Sequence, residues 1–140
     1  MIILDTHVIS ELVRPEPHPA VLARVGGQRP SALHATSVTQ AEAFYGIAVL
    51  PAGKRRAGLA AAAGSIFGED FAGRVLPFDG AAARSYAEIR AARRGSGSPM
   101  EAFDAQIAAI AFTSGATLAT RDTGGFADCG VTIVNPWRTG

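Results

Sequence analysis

Three things are scarce in these 140 residues: cysteine, net charge and long apolar runs. The single cysteine, Cys129, cannot close an internal disulfide and has no second thiol with which to share a zinc ion. That excludes a disulfide scaffold and a thiolate zinc site, and it suits a reducing compartment. Cys129 itself reads as a small buried filler. The formal net charge is only +1, too mild to announce nucleic-acid binding, because a dedicated binder carries a strongly basic face. Apolar residues make up 48% of the chain, yet Gly, Pro and charged residues cut them into pieces far shorter than the roughly 20 residues of a membrane-spanning helix. A soluble protein with no membrane partner is expected. Met1-Ile2-Ile3-Leu4 has no basic leader and runs straight into Asp5, so neither a signal nor a transit peptide is expected and the cytoplasm is the expected compartment.

What is present fits one domain, long enough to bury a core without a disulfide or structural metal. Ile2-Ile3-Leu4 reads as a buried strand with Asp5 at its end, followed by a helix opening at Thr6 or His7 and running through Leu12 and Val13. Pro15, Pro17 and Pro19 break that helix, and Ala20 to Val25 is a further short one closed by Gly26-Gly27. Leu33 to Val38 reads as a second strand. Thr39 then serves as the N-cap of a helix carrying Phe44, Ile47 and Leu50, which puts Glu42 at the capping-box position. A helix follows Pro51 and lasts to Phe67, and Val75 to Phe78 is a short edge strand because of Pro77. Asp79 caps a helix to Arg94, and Gly95 to Pro99 is a loop. The next helix buries Ile107, Ile110, Ala111 and Phe112 and ends at Gly115. Strands at Ala116–Ala119 and Val131–Val134 flank a loop over Thr120–Gly125. The basic clusters Lys54-Arg55-Arg56 and Arg93-Arg94 read as solvated faces, with phosphate contact as the alternative, and His18 and His34 as ordinary loop or strand residues.

Short apolar strands alternating with helices imply an α/β domain with a largely parallel sheet, whose ligand sites lie at the carboxyl ends of the strands. Asp5 and Asp122 follow predicted strands, and Glu42 and Asp104 lie in the first turns of predicted helices, so all four carboxylates can meet at one edge. Singly, each has a structural explanation: Asp5 as a helix cap, Glu42 as the capping-box partner of Thr39, Asp104 as a favourable charge at a helix start, Asp122 as a turn residue. Together they repel one another unless a cation neutralises them. An oxygen-only donor set favours a hard ion such as Mg²⁺ or Mn²⁺, which sits on one or two carboxylates plus water and leaves room for a phosphate. That chemistry is metal-assisted phosphodiester cleavage.

The opening Ile2-Ile3-Leu4-Asp5-Thr6-His7-Val8-Ile9-Ser10-Glu11 resembles that of the PIN-domain toxins of the VapC family, and most closely their FitB-like branch. Thr36 to Glu42, Asp104 to Ala109, Ala119 to Gly124 and the closing Asn135-Pro136-Trp137 follow in family order. The likeness spans nearly the whole chain, so residues 1–140 read as a single PIN domain with a three-layer α/β/α fold and a sheet of four or five short strands. The resemblance implies a Mg²⁺-dependent (Mn²⁺ possible) endoribonuclease, the toxin of a type II toxin–antitoxin module. Asp5, Glu42, Asp104 and Asp122 would form the acidic, metal-binding site, with Asp5 and Asp104 the first candidates for direct ligation. Thr6 and Thr120 match accessory positions that hydrogen-bond the acidic cluster. It further implies an RNA substrate, a small DNA-binding antitoxin encoded beside the gene, a homodimer, and pairing of dimers in the antitoxin complex. One departure stands out: the family usually has Asn after Asp-Thr, and this chain has His7, bulkier and able to protonate near neutral pH. Two other readings compete: a decayed nuclease whose acidic pocket only docks an antitoxin, and a metal-dependent phosphatase. The phosphatase needs a second Asp two residues after Asp5, where His7 stands.

Overall fold

A computed structural model describes residues 1–138. Five short strands form one parallel sheet: β1 (Ile2–Leu4), β2 (Leu33–Thr36), β3 (Val75–Leu76), β4 (Thr117–Ala119) and β5 (Ile133–Val134), in the order β3-β2-β1-β4-β5. Six α-helices join them: α1 (Thr6–Leu12), α2 (Pro19–Gly26), α3 (Ser37–Ala48), α4 (Lys54–Ser65), α5 (Gly80–Gly95) and α6 (Ala102–Ser114). The expected three-layer α/β/α architecture is present. Because successive strand residues point to opposite faces, Ile3 and Leu118 join one core with α5 and α6, while Leu4 and Ala119 join the other with α1, α2 and α4. The sheet grows from β1 to β2 and β3 on one side and to β4 and β5 on the other. The order therefore reverses between β1 and β4, where an open α/β sheet leaves a crevice at its carboxyl edge.

Local chemistry sets the helix starts. The Asp5 carboxylate accepts the Val8 N–H at 3.0 Å and caps α1. Asp79 does the same for α5 through the Ala82 N–H at 2.9 Å, as expected. α6 stops at Gly115, whose φ of 65° is left-handed, a conformation glycine adopts without steric penalty.

Several boundaries differ from the sequence expectations. β2 ends at Thr36, and Thr36, not Thr39, caps the following helix: its extended backbone turns its hydroxyl onto the Thr39 N–H at 3.0 Å. The helix thus begins one turn early, and Glu42 falls in its second turn with no capping-box role. α4 starts at Lys54 behind Gly53 and passes at Ile66–Asp70 into a π-helical turn. β3, at the sheet edge as expected, stops before Pro77, and β5 contracts to Ile133–Val134. Ile107, Ile110 and Ala111 are buried, but Phe112 is half exposed. Buried residues surround most of α6, and Phe112 falls on its remaining open side. Cys129 is buried, with its thiol donating to the Phe126 carbonyl.

Candidate active site

The crevice between β1 and β4 opens into a pocket of about 400 Å³ whose lining includes Asp5, Glu42, Asp104 and Asp122. Asp5 enters from the end of β1. It is only 2% exposed, and its backbone N–H bonds the Ala119 carbonyl across the switch point. One carboxylate oxygen caps α1, and the other lies 3.5 Å from His7 Nδ1. The His7 side chain itself is 61% exposed. Its hydrogen bond to Asp5 raises its pKa above the usual imidazole value, burial works against that, and the charges of Asp5, Asp104 and Asp122 add to the rise.

Glu42 is held by its neighbour helix. Thr6 Oγ1 donates to Glu42 Oε1 at 2.7 Å and lies 3.1 Å from the buried Thr39 hydroxyl. The threonine read as a cap is thus part of the network behind Glu42. Asp104 stands in the first turn of α6. Burial, then the charges of Glu101, Asp122, Glu42 and Asp5, push its pKa up to about 6. Asp122 follows β4 in a loop: its N–H donates to Thr120 Oγ1 at 3.0 Å, and its Oδ1 accepts the Gly125 N–H at 2.9 Å. The fully buried Thr120 hydroxyl is therefore spent on the Asp122 backbone, whereas Thr6 bonds a carboxylate directly.

Two pocket residues escaped the sequence reading. Glu101, three residues before Asp104, brings a fifth carboxylate, and its i,i+3 spacing from Asp104 at the start of α6 is the signal that could have found it. Arg93, expected on a solvated face, is 6% exposed. Its Nε donates to the Ser98 carbonyl at 2.7 Å, its Nη1 to the carbonyls of Gly125 at 3.0 Å and Ala127 at 2.7 Å, and its Nη2 to Ser98 Oγ. The guanidinium ties the loop before α6 to the loop after Asp122. Gly125 and Ala127 are 32 and 34 residues away in sequence, so no local pattern marked the burial of Arg93. Lys54 and Arg55 are exposed as expected, and His18 caps α2 through its ring nitrogen.

The fit of a metal follows from the donors. No three carboxylate, imidazole or thiol side chains among the described residues are gathered so that they could hold an ion by themselves. The carboxylates stand around a shared space, and three of them, Asp5, Glu42 and Asp122, each have an oxygen engaged by the protein. Such a set suits a hard divalent cation that keeps several waters and takes one or two carboxylates. The raised Asp104 pKa reports burial first and then like-charge repulsion, and a cation would relieve the repulsion.

The sequence and the fold have known counterparts. The model of the PIN domain matches residues 2–130. The chain is 45% identical to "VapC ribonuclease Y4jK" of Sinorhizobium fredii, with 99% of both chains covered. It is 40% identical to "Toxin FitB" of Neisseria gonorrhoeae, again over 99% of each. A solved structure of FitAB bound to a DNA fragment superposes with a TM-score of 0.92 at 39% identity, covering 100% of this chain and 98% of that one. The five-stranded parallel sheet agrees with these matches, and the chain belongs to the PIN-domain family, in the branch that holds VapC and FitB.

Proposed function

We propose that this protein is a divalent-metal-dependent endoribonuclease and the toxin of a toxin–antitoxin pair. The observation that carries the reading is the convergence of Asp5, Glu42, Asp104 and Asp122 on one pocket at the switch point of the sheet, with Asp104 held near pKa 6 by burial and by its neighbours. Relatives named as a VapC ribonuclease and as the FitB toxin support it. Mg²⁺ is the expected ion and Mn²⁺ an expected substitute, with Asp5 and Asp104 as direct ligands and Glu42 and Asp122 completing the acidic shell. When bound, the cation supplies Lewis acidity that activates a water and offsets charge developing on the leaving oxygen. The chain's own part is positioning. Asp5 is fixed by its capping bond, Glu42 by Thr6, and Asp122 by Gly125. His7 stands over Asp5 in place of the family's usual Asn as a tolerated replacement.

The solved FitAB complex supports a partner of the antitoxin kind. A small DNA-binding antitoxin, encoded beside the gene, is proposed to silence the enzyme in the cytoplasm. It would place an arginine among the carboxylates, which a guanidinium pairs with bidentately. A homodimer, pairing further in that complex, completes the proposal.

The test uses purified chain free of any partner. RNA should be cut with Mg²⁺ or Mn²⁺ and left intact in excess chelator. Undiminished cutting in chelator would refute the metal mechanism, and cyclic phosphate ends would show attack by the ribose hydroxyl instead of water.

A further inference from the structure

Beside the acidic pocket lies a larger groove of about 840 Å³ between α5 and the segment leading into α6. The two share Pro99 and Met100 in their linings and so adjoin across that segment. Their chemistry is opposite. Among the described residues no carboxylate lines the groove, and its charged residues are Arg90 and Arg94. Tyr86, Arg90 and Arg94 recur at i, i+4 and i+8 on one face of α5, while Ala87, Ala91 and Gly95 run beside them and leave a trough without bulky side chains.

Arg90 is exposed yet oriented. Its Nη1 donates to the Tyr86 hydroxyl at 2.9 Å, its Nε to the Met100 carbonyl at 3.3 Å, and its guanidinium carbon lies 5.8 Å from the Tyr86 ring centre. The far wall is braced as well, since buried Arg93 holds Ser98. Arg94 stands one turn beyond Arg90, about 6 Å along the helix axis, the scale of neighbouring phosphates on an extended strand.

An acidic pocket repels the polyanion it is meant to cut, so affinity for the flanking strand has to come from cations placed next to it. An acidic peptide entering this trough would meet the carboxylates at its end, where it gains nothing, whereas a nucleic acid brings a phosphate to the place a cation would occupy. Resting on the ribonuclease reading above, we infer that the trough of α5 is the track for single-stranded RNA beside the scissile phosphodiester. Arg90 and Arg94 hold consecutive phosphates, and the planar guanidinium of Arg90 also offers a face to a base.

The test is binding of a short fluorescein-labelled single-stranded RNA to the full chain in excess chelator, so that affinity is read without cleavage. Arg90→Gln with Arg94→Gln should weaken binding roughly tenfold at physiological salt and lower the slope of log affinity against log salt by about 0.7 for each lost contact. Arg84→Gln removes one such charge from an exposed position of the same helix outside the groove, and should change affinity less than twofold. A loss for Arg84→Gln of half the double variant's loss on the logarithmic scale would mean that only net charge matters and would overturn the track. Unchanged RNA affinity in the double variant would overturn it too. A changed mass in solution alongside unchanged affinity would identify the groove as a protein interface instead. Failure of the chain to cut any RNA, with the binding pattern intact, would refute the nuclease reading while leaving the track standing.

Discussion

Gly125 and Asp122 are matched in both bonding and shape: the glycine N–H donates to Asp122 Oδ1 at 2.9 Å, and a Cβ on residue 125 would fall on that same carboxylate. The Gly125 φ is not left-handed, so glycine is required here by close approach and not by backbone conformation. Its carbonyl, in turn, accepts from Arg93.

Gly125→Ala should therefore expel the Asp122 carboxylate while barely touching the core. RNA cleavage should fall at least tenfold, with stability changed by less than about 1 kcal/mol, since Asp122 lies on an exposed loop. Full activity in this variant, measured alongside a melting curve, would show that Asp122 is dispensable.

Asp104→Asn should abolish cleavage and raise stability at neutral pH. With its pKa pushed up to about 6, Asp104 keeps a proton in the folded state that the unfolded chain has already lost. Its contribution to stability is thus present below about pH 4 and is lost as pH rises through 6. The side chain is only partly buried, so solvent screening reduces the gain to about 1 kcal/mol, or roughly 3 to 5 °C in melting temperature. Melting scans across pH 4 to 7 check this: the wild-type decline over that window should flatten in the variant.

Metal binding should appear in the absence of RNA. Mn²⁺ at roughly 100 times its dissociation constant should stabilise the wild type by about 2.7 kcal/mol, reversed by chelator. Asp5→Asn and Asp104→Asn should each lose most of that increment. An undiminished Mn²⁺ shift in both would mean that the ion binds elsewhere.

Arg93→Met removes four donor contacts and leaves the carbonyls of Ser98, Gly125 and Ala127 without their partner. The loops are near solvent and water can replace part of the loss, so the expected destabilisation is about 2 to 3 kcal/mol, read from a urea midpoint. Arg93→Lys should recover only a fraction of it, because an ammonium lacks the planar fork that serves two loops at once.

The alternation of apolar strands with helices, the cap at Asp5 and the glycine stop at Gly115 are local, and local physics was enough to imply an α/β domain with Asp5 and Asp122 just past strand ends. Each rests on a few neighbouring residues: a carboxylate three positions before a free N–H, or a residue with no Cβ where φ turns positive. The same locality misled at Thr39, because Thr36 and Thr39 are equally good caps in sequence. The choice was made by packing that buries the Thr39 hydroxyl against Thr6, 33 residues away. Burial of Arg93, the fifth carboxylate Glu101 in the pocket and the fit of Gly125 to Asp122 likewise depend on which loops meet. Sequence alone thus determined the strands, the helices and the identity of four acidic residues, since those follow from propensity, periodicity and motif. Tertiary structure alone decided that these carboxylates surround one space, that Asp104 titrates near 6 and that a basic groove adjoins the pocket. Charge repulsion, desolvation and groove shape depend on distances between segments far apart in the chain, and those exist only once the sheet has brought β1 and β4 side by side.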